Sequence, residues 1–540
     1  MTRKGGGSGR GALMEHAWRL AVLLLVCALL FAAGLSLRGL WEPGEAARAE
    51  AARQVLLTGQ WAAPRLAAGR YLPSAPLSTW SAAVGMALLG VGEAGARLPA
   101  ALWATLAVAA LYLLGCAWGE RRDAFWSALI LATSAGFIVQ ARTPFPAPAL
   151  ALATLLGFWG LWRLTLRRPA GRYLFWSGAG LAFFAQGPLA LVLLPAAGAA
   201  YALLERRRGL LGELFHWRGP AFCLAPCLAW LAWVAIFDTG YLAGLFSAAS
   251  GWSALWHPLL CLAAFFPWLV FLPWSLREGG ELRTRRPARG RSPRPGPLLL
   301  VWLAAFVLVP MLPGCDSPQY LAAALAPLAL WLGPWLAGSF SPADQDRREA
   351  RRRALTALAL LALLLGAAVL SLPAWAPGLT WQDASLFLLW GPGLLAGLAL
   401  GSYRWRRRPG MTAAAPLVLL AVCLAGGGLW ALRADPYYSL RPLLASRQGL
   451  LRADYRLVNY GRYFAGSAFY SRRPVELVPG FAARRLVREM AHPRRKVAVV
   501  ASRRDYLYLD RLAHGTPGLL LFEWAHAGDK VLFANRPRPR

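Results

Sequence analysis

Apolar runs recur from residue 17 to residue 431, separated by short polar linkers, and then stop. A run of about 18 apolar residues or more reads as a membrane span, because a helix satisfies its own backbone across roughly 30 Å of hydrocarbon. Candidate spans fall near 17–37, 97–117, 123–140, 147–165, 173–186, 188–204, 219–237, 257–275, 297–313, 319–338, 354–373, 383–401 and 411–431, thirteen in all. The two short runs around Gln186-Gly187-Pro188 also read as one long kinked helix. Leu77 to Leu89 is too short for a span and reads as an interfacial or re-entrant helix. Beyond 432 come alternating stretches such as Tyr455-Arg456-Leu457-Val458 and Lys496-Val497-Ala498-Val499-Val500, which predict a small α/β domain of three or four strands.

Charge adds sidedness to this pattern. The 540 residues are 57% hydrophobic and 15% charged, with a net charge of +33 that on its own would suggest a nucleic-acid partner. The arginines, however, cluster in alternate linkers: Arg121-Arg122, Arg167-Arg168, Arg206-Arg207-Arg208, 277–294, 347–353 and 404–408. The intervening linkers 238–256, 313–318 and 374–382 hold no Lys or Arg. That is the positive-inside pattern of a bacterial inner-membrane protein, and it excludes any need for nucleic acid. It predicts a basic cytoplasmic N-terminus at 1–16, a multi-pass membrane domain at 17–431 with a periplasmic loop at 38–96, and a periplasmic α/β domain at 432–540. The first apolar run reads as an uncleaved span, since no small-residue cleavage site with a polar exit follows it.

Candidate chemistry concentrates in the first outer loop. The charges at 45, 48 and 53 fit one side of a short helix, and Trp61, Tyr71 and Trp80 are natural interface anchors. Glu45 is the strongest local candidate for a general base. Arg48, Arg53 and Arg97 could grip phosphate oxygens through their planar forks, or pair with Glu45, Glu50 and Glu93. His257 reads as a ligand or, more simply, as a satisfied interface histidine. Cys223 and Cys227, one helical turn apart, read as small core residues because no further Cys or His accompanies them. No phosphate-binding glycine loop, HExxH or paired-cysteine metal motif is present, and nothing points to ATP-driven transport. Polar residues near the span centres are scarce, which argues against an ion-coupled transporter.

An ordered set of motifs carries a family resemblance over nearly the whole chain. It comprises Leu40-Trp41-Glu42-Pro43-Gly44-Glu45-Ala46-Ala47-Arg48-Ala49-Glu50, Tyr71-Leu72-Pro73-Ser74-Ala75-Pro76-Leu77, Ala96-Arg97-Leu98-Pro99, Gln186-Gly187-Pro188, Phe266-Pro267-Trp268, Pro318-Gln319-Tyr320 and Ala468-Phe469-Tyr470-Ser471-Arg472. The set resembles the bacterial aminoarabinose transferases that act on lipid A, relatives of the protein O-mannosyltransferases. The resemblance implies a GT-C fold and an inverting sugar transfer from a polyprenyl-phosphate lipid to lipid A or another envelope acceptor. It implies Glu45 as the catalytic residue and Arg48, Arg97 and Tyr320 as substrate-binding residues. A divalent metal is compatible with such chemistry, but no complete ligand set is visible and no cofactor is identified.

The departures fall where that chemistry would sit. Where the family usually has Pro-Asp-Glu, this chain has Pro43-Gly44-Glu45, and the usual Glu-Lys-Pro-Pro-Leu is Pro73-Ser74-Ala75-Pro76-Leu77. The second outer loop, Arg142-Thr143-Pro144-Phe145-Pro146-Ala147-Pro148, lacks the usual aspartate, and Gln186 and Asp316 replace two usual lysines. Two functions therefore compete. One is a transferase with a shifted mechanism, and the other is a degenerate relative that binds a polyprenyl lipid or a partner enzyme without transfer.

Overall fold

The computed structural model describes residues 7–66, 75–241, 256–278, 295–311, 317–338, 349, 352–362, 364, 411–445 and 455–538. Within them, six helices are long and apolar enough to cross a membrane: Leu13–Ala32, Glu93–Trp118, Ala147–Thr165, Arg218–Phe237, Pro318–Gly338 and Ala414–Tyr438. Two expected spans are bent pairs. Arg121–Ala132 turns into Ala135–Ala141 by 65°, and His257–Ala264 turns into Trp268–Arg277 by 99°. The breaks coincide with residues that leave the ladder: Thr133 and Ser134 bond back to carbonyls one turn earlier, and Pro267 has no amide to donate. Leu77–Leu89, Pro188–Leu204 and Pro295–Met311 are shorter apolar helices. The run around Gln186 is two helices, Gly171–Gln186 and Pro188–Leu204, divided at Gly187, whose φ of 90° only glycine adopts freely. The expected span 383–401 and half of 354–373 lie outside the described residues.

Small residues bring the helices together. A Cβ built on Gly160 would lie 2.3 Å from the amide nitrogen of Phe175, and one on Gly178 would lie 2.4 Å from the carbonyl oxygen of Ala153. The Ala147–Thr165 and Gly171–Gln186 helices therefore touch backbone to backbone, as small-residue seams in lipid allow. Cys223 and Cys227 are buried, and His257 is wholly buried with Nε2 at 3.1 Å from the Phe306 carbonyl.

Among its described residues the C-terminal domain holds five strands rather than three or four: β1 Tyr455–Tyr460, β2 Glu476–Val478, β3 Lys496–Ser502, β4 Phe522–Ala527 and β5 Lys530–Ala534. Their order is β2-β1-β3-β5-β4, with β1 parallel to β2 and β3, and β5 antiparallel to β3 and β4. Side chains alternate between the two faces. Val458, Val499, Val531 and Phe533 lie under the helices Ala483–Ala491 and Arg503–His514. Leu457, Ala498, Val500 and Leu532 face the opposite way, in one apolar cluster with Ala46, Ala49, Ala52 and Val55 of the first loop. The loop helix, Gly44–Thr58, is thus a shared wall between the membrane domain and the sheet, and its alanines permit that close approach.

Candidate functional site

The segment 35–45 links the first span to the loop helix, and it is held from three sides. Arg97, only 1% exposed near the start of the Glu93–Trp118 helix, donates to the carbonyl oxygens of Leu35 (2.7 Å), Arg38 (2.9 Å) and Gly39 (2.7 Å). Asp435, near the C-terminal end of the last described span, accepts from the Gly39 amide (2.9 Å) and the Trp41 indole (3.0 Å). The soluble domain supplies Tyr470, whose hydroxyl accepts from the Leu40 amide at 2.7 Å and donates to Glu93 at 3.1 Å. Burial and the neighbouring Glu93 push the Tyr470 phenol well above its usual range.

Glu45 sits in the first turn of the loop helix, where the helix dipole favours an anion. Its carboxylate bends back to Arg38 in a two-pronged pair (2.5 and 3.0 Å) and to Arg97 Nη2 at 2.6 Å. Both oxygens are therefore committed to guanidinium donors, which leaves the residue poorly placed to take a proton from an acceptor. Arg48, one turn on, donates to the Gly44 carbonyl at 3.4 Å and stacks over the Phe145 ring, 4.4 Å from its centre. A Cβ on Gly44 would lie 3.1 Å from the same ring. A side chain at position 44, where the resembling family carries aspartate, would therefore require the Phe145 ring to give by a few tenths of an ångström.

The remaining sequence candidates divide. Arg53 is buried and forms a two-pronged pair with Glu50 (2.7 and 2.8 Å), which leaves it a structural role. Tyr320 is 2% exposed at the end of a short 3-10 turn, Ser317–Tyr320. That turn is fixed by Gln140, which donates to the Pro318 carbonyl at 2.8 Å. Glu45 and Arg97 are in direct contact and Arg48 lies one turn along the loop helix against Phe145, while Tyr320 sits in the turn that Gln140 holds. Ser74 and Asp316 lie outside the described residues.

Three participants were not legible beforehand. Arg38 appears in the sequence only as one loop charge among many. Arg142 donates Nη1 to the Leu30 carbonyl at 2.9 Å and is held below the ordinary guanidinium range by burial and by Arg38 and Arg97. Glu42 accepts from the Gly466 amide at 2.5 Å, and burial pushes its carboxyl up to about 7 against the pull of that bond and of Lys530. Beside this cluster, Ala32, residues 34–37 and Leu89, Ala94 and Leu98 border an open, mainly apolar hollow of about 390 Å³. A divalent cation does not fit the arrangement. Among the described residues no three of His, Cys, Asp and Glu converge, and Glu45 is already matched by two arginines.

Comparison with known proteins points one way. Residues 73–233 match the family model described as dolichyl-phosphate-mannose-protein mannosyltransferase. The chain is 29% identical over 341 residues to undecaprenyl phosphate-α-4-amino-4-deoxy-L-arabinose arabinosyl transferase 1 of Pseudomonas fluorescens, covering 59% of this chain and 60% of that one. It is 30% identical over 381 residues to the corresponding transferase of Pseudomonas savastanoi pv. phaseolicola, covering 66% and 67%. The crystal structure of ArnT from Cupriavidus metallidurans in the apo state superposes with a TM-score of 0.77 over 98% of this chain and all of that one, at 20% identity. ArnT bound to undecaprenyl phosphate superposes equally well, over 97% of this chain and 99% of that one. The likeness fixes the fold as GT-C.

Proposed function

We propose that this chain, which belongs to the family of bacterial undecaprenyl phosphate-aminoarabinose arabinosyl transferases, moves a sugar from an undecaprenyl-phosphate donor to lipid A or another envelope acceptor. The observation that carries this reading is the pairing of Arg38 and Arg97 with the Glu45 carboxylate, with the Arg142 guanidinium close to both arginines, next to an apolar hollow. An isoprenoid phosphate has the matching form, a long apolar chain ending in an anion. The multi-pass inner-membrane location follows the family, and thirteen spans with the N-terminus inside and residues 432–540 outside put the cluster and the soluble domain on one side.

In the transfer, the bond between the sugar's anomeric carbon and the phosphate oxygen breaks as the acceptor oxygen bonds the same carbon from the opposite face. The electron pair leaves with undecaprenyl phosphate, and fixed guanidiniums lower the cost of that growing charge. Because Glu45 is committed to Arg38 and Arg97, an acceptor that arrives ionised, such as a lipid A phosphate, suits the site better than a hydroxyl that must lose a proton. A second reading, polyprenyl-phosphate binding without transfer, is favoured by Phe145 filling the space beside Gly44.

Mass spectrometry of lipid A, envelope glycans and undecaprenyl-phosphate sugars tests the choice. The strains are a deletion, the deletion carrying the native chain, and the deletion carrying Arg48→Ala. Transfer predicts a sugar missing from one acceptor and its lipid donor accumulating, restored by the native chain. Unchanged glycans and donor pools with the protein expressed would exclude transfer and leave the binding role.

A further inference from the structure

Arg142 follows the outer end of the bent pair Arg121–Ala132 and Ala135–Ala141, half-buried, with its guanidinium against Gly34. Its one hydrogen bond from the side chain, Nη1 to the Leu30 carbonyl, uses a single donor of five. Among the described residues it has no carboxylate partner, and the charges acting on it are two more arginines, Arg38 and Arg97. The carboxylate nearest the group, Glu45, is already shared by those two. Two guanidiniums therefore share one carboxylate in a partly dehydrated place, and Arg142, close to both, is left without an opposite charge among the described residues. Cations so placed are costly unless an anion joins them.

We propose that Arg142 is the direct ligand of a phosphate anion bound at this cluster, with Arg38 and Arg97 as positioning residues that shape segment 35–39 around it. The proposal deepens the undecaprenyl-phosphate reading and rests on it for the identity of the lipid. The recognisable chemistry is a phosphate ester bearing one or two negative charges, presented at the outer membrane surface. Arg142 Nε and Nη2 offer the two parallel donors such an oxyanion accepts.

The test uses the full chain in detergent, with native mass spectrometry titrations of undecaprenyl phosphate, phosphatidylglycerol and inorganic phosphate. Thermal melting without ligand is measured alongside. Arg142→Gln is expected to weaken undecaprenyl phosphate about tenfold or more, and Arg142→Lys, which keeps the charge and loses the fork, to weaken it less. Without ligand, Arg142→Gln should melt at or above the native temperature, because it relieves repulsion from Arg38 and Arg97. A purely structural arginine would instead lower the melting temperature. Native-like affinity of Arg142→Gln for every probe overturns the proposal, as does native protein that binds none of them. Native protein that binds phosphatidylglycerol or inorganic phosphate but not undecaprenyl phosphate, with loss in Arg142→Gln, keeps the anion site and removes the donor reading. Undecaprenyl phosphate binding that survives Arg142→Gln does the reverse.

Discussion

Arg97 separates two readings of the site, because the family resemblance makes it a substrate-binding residue and the structure makes it a clamp. Its four acceptors are the carbonyls of Leu35, Arg38 and Gly39 and the Glu45 carboxylate, all within 2.9 Å. Replacing it with methionine keeps the volume and leaves three buried carbonyls and half of the Glu45 pairing unmet. Each orphaned group costs about 1–3 kcal/mol, and breaking one side of a buried ion pair costs about 3–5 kcal/mol. These terms overlap, so we expect Arg97→Met to destabilise the protein by about 3–5 kcal/mol in total, a large part of a typical folding stability of roughly 5–15 kcal/mol. Arg97→Lys cannot span acceptors arranged around a planar fork, and should lose about half as much. Melting of the detergent-solubilised full chain measures the loss, and protease cleavage within residues 35–45 reports release of the segment. If Arg97→Lys melted like the native protein, kept segment 35–45 protected and lost only undecaprenyl phosphate affinity, the clamp would be refuted and the ligand role restored.

Other expectations follow from single contacts. Gly44→Asp should not restore the acid of the resembling family: its Cβ would crowd Phe145 at 3.1 Å and disturb the Arg48 stack, at about 1–3 kcal/mol, with Phe145→Ala recovering part in a double-mutant melting cycle. Glu42 has a folded-state pKa raised from 4.5 to about 7, so the folded protein binds the extra proton between those values. Its stabilising contribution is therefore complete below about pH 4.5, declines as pH rises through about 7 and stays lost above it; Glu42→Gln should flatten the melting temperature against pH, and an unchanged profile would exclude Glu42 as its source. The Arg65–Asp238 pair joins the loop to the end of the Arg218–Phe237 helix, but Arg65 is 41% exposed, so Arg65→Ala should cost about 1 kcal/mol or less by melting.

Local regularities carried the sequence reading as far as they reached. Apolar length gave the long helices, and the spacing of 45, 48 and 53 gave the loop helix. The pairings Glu50–Arg53 and Glu45–Arg97 were among the alternatives weighed, because opposite charges in one loop are visible in order. The bends at Thr133-Ser134 and Phe266-Pro267 were less visible, since hydropathy is insensitive to direction. Two of the five strands are hard to read from sequence, for different reasons. β2 has only three residues, while β4 interleaves Glu523 and His526 with a register shift between Glu523 and Ala525. Asp435 and Glu42 gain their roles from partners far along the chain, about which spacing says nothing, while Arg38 pairs with Glu45 seven residues on, one of several pairings the loop's charges allow. Arg142 sits in a stretch that draws attention for a missing aspartate, which hides the cation beside the gap.

The segment 35–45 also imposes an order of assembly. Arg97 can grip its carbonyls once the Glu93–Trp118 helix has inserted, since those acceptors lie 58 to 62 residues away. The Gly39 amide must wait 396 residues for Asp435, and the Leu40 amide 430 for Tyr470. At a synthesis rate of about 5–20 residues per second, that interval is on the order of tens of seconds. During it the amides of Gly39 and Leu40 and the carboxylate of Glu42 must be served by water, so the half-built segment belongs at the aqueous surface. The growing chain therefore carries an unfinished first loop until its last span and soluble domain close over it, and a lesion near Asp435 or Tyr470 would be felt at residue 40 as a failure to finish.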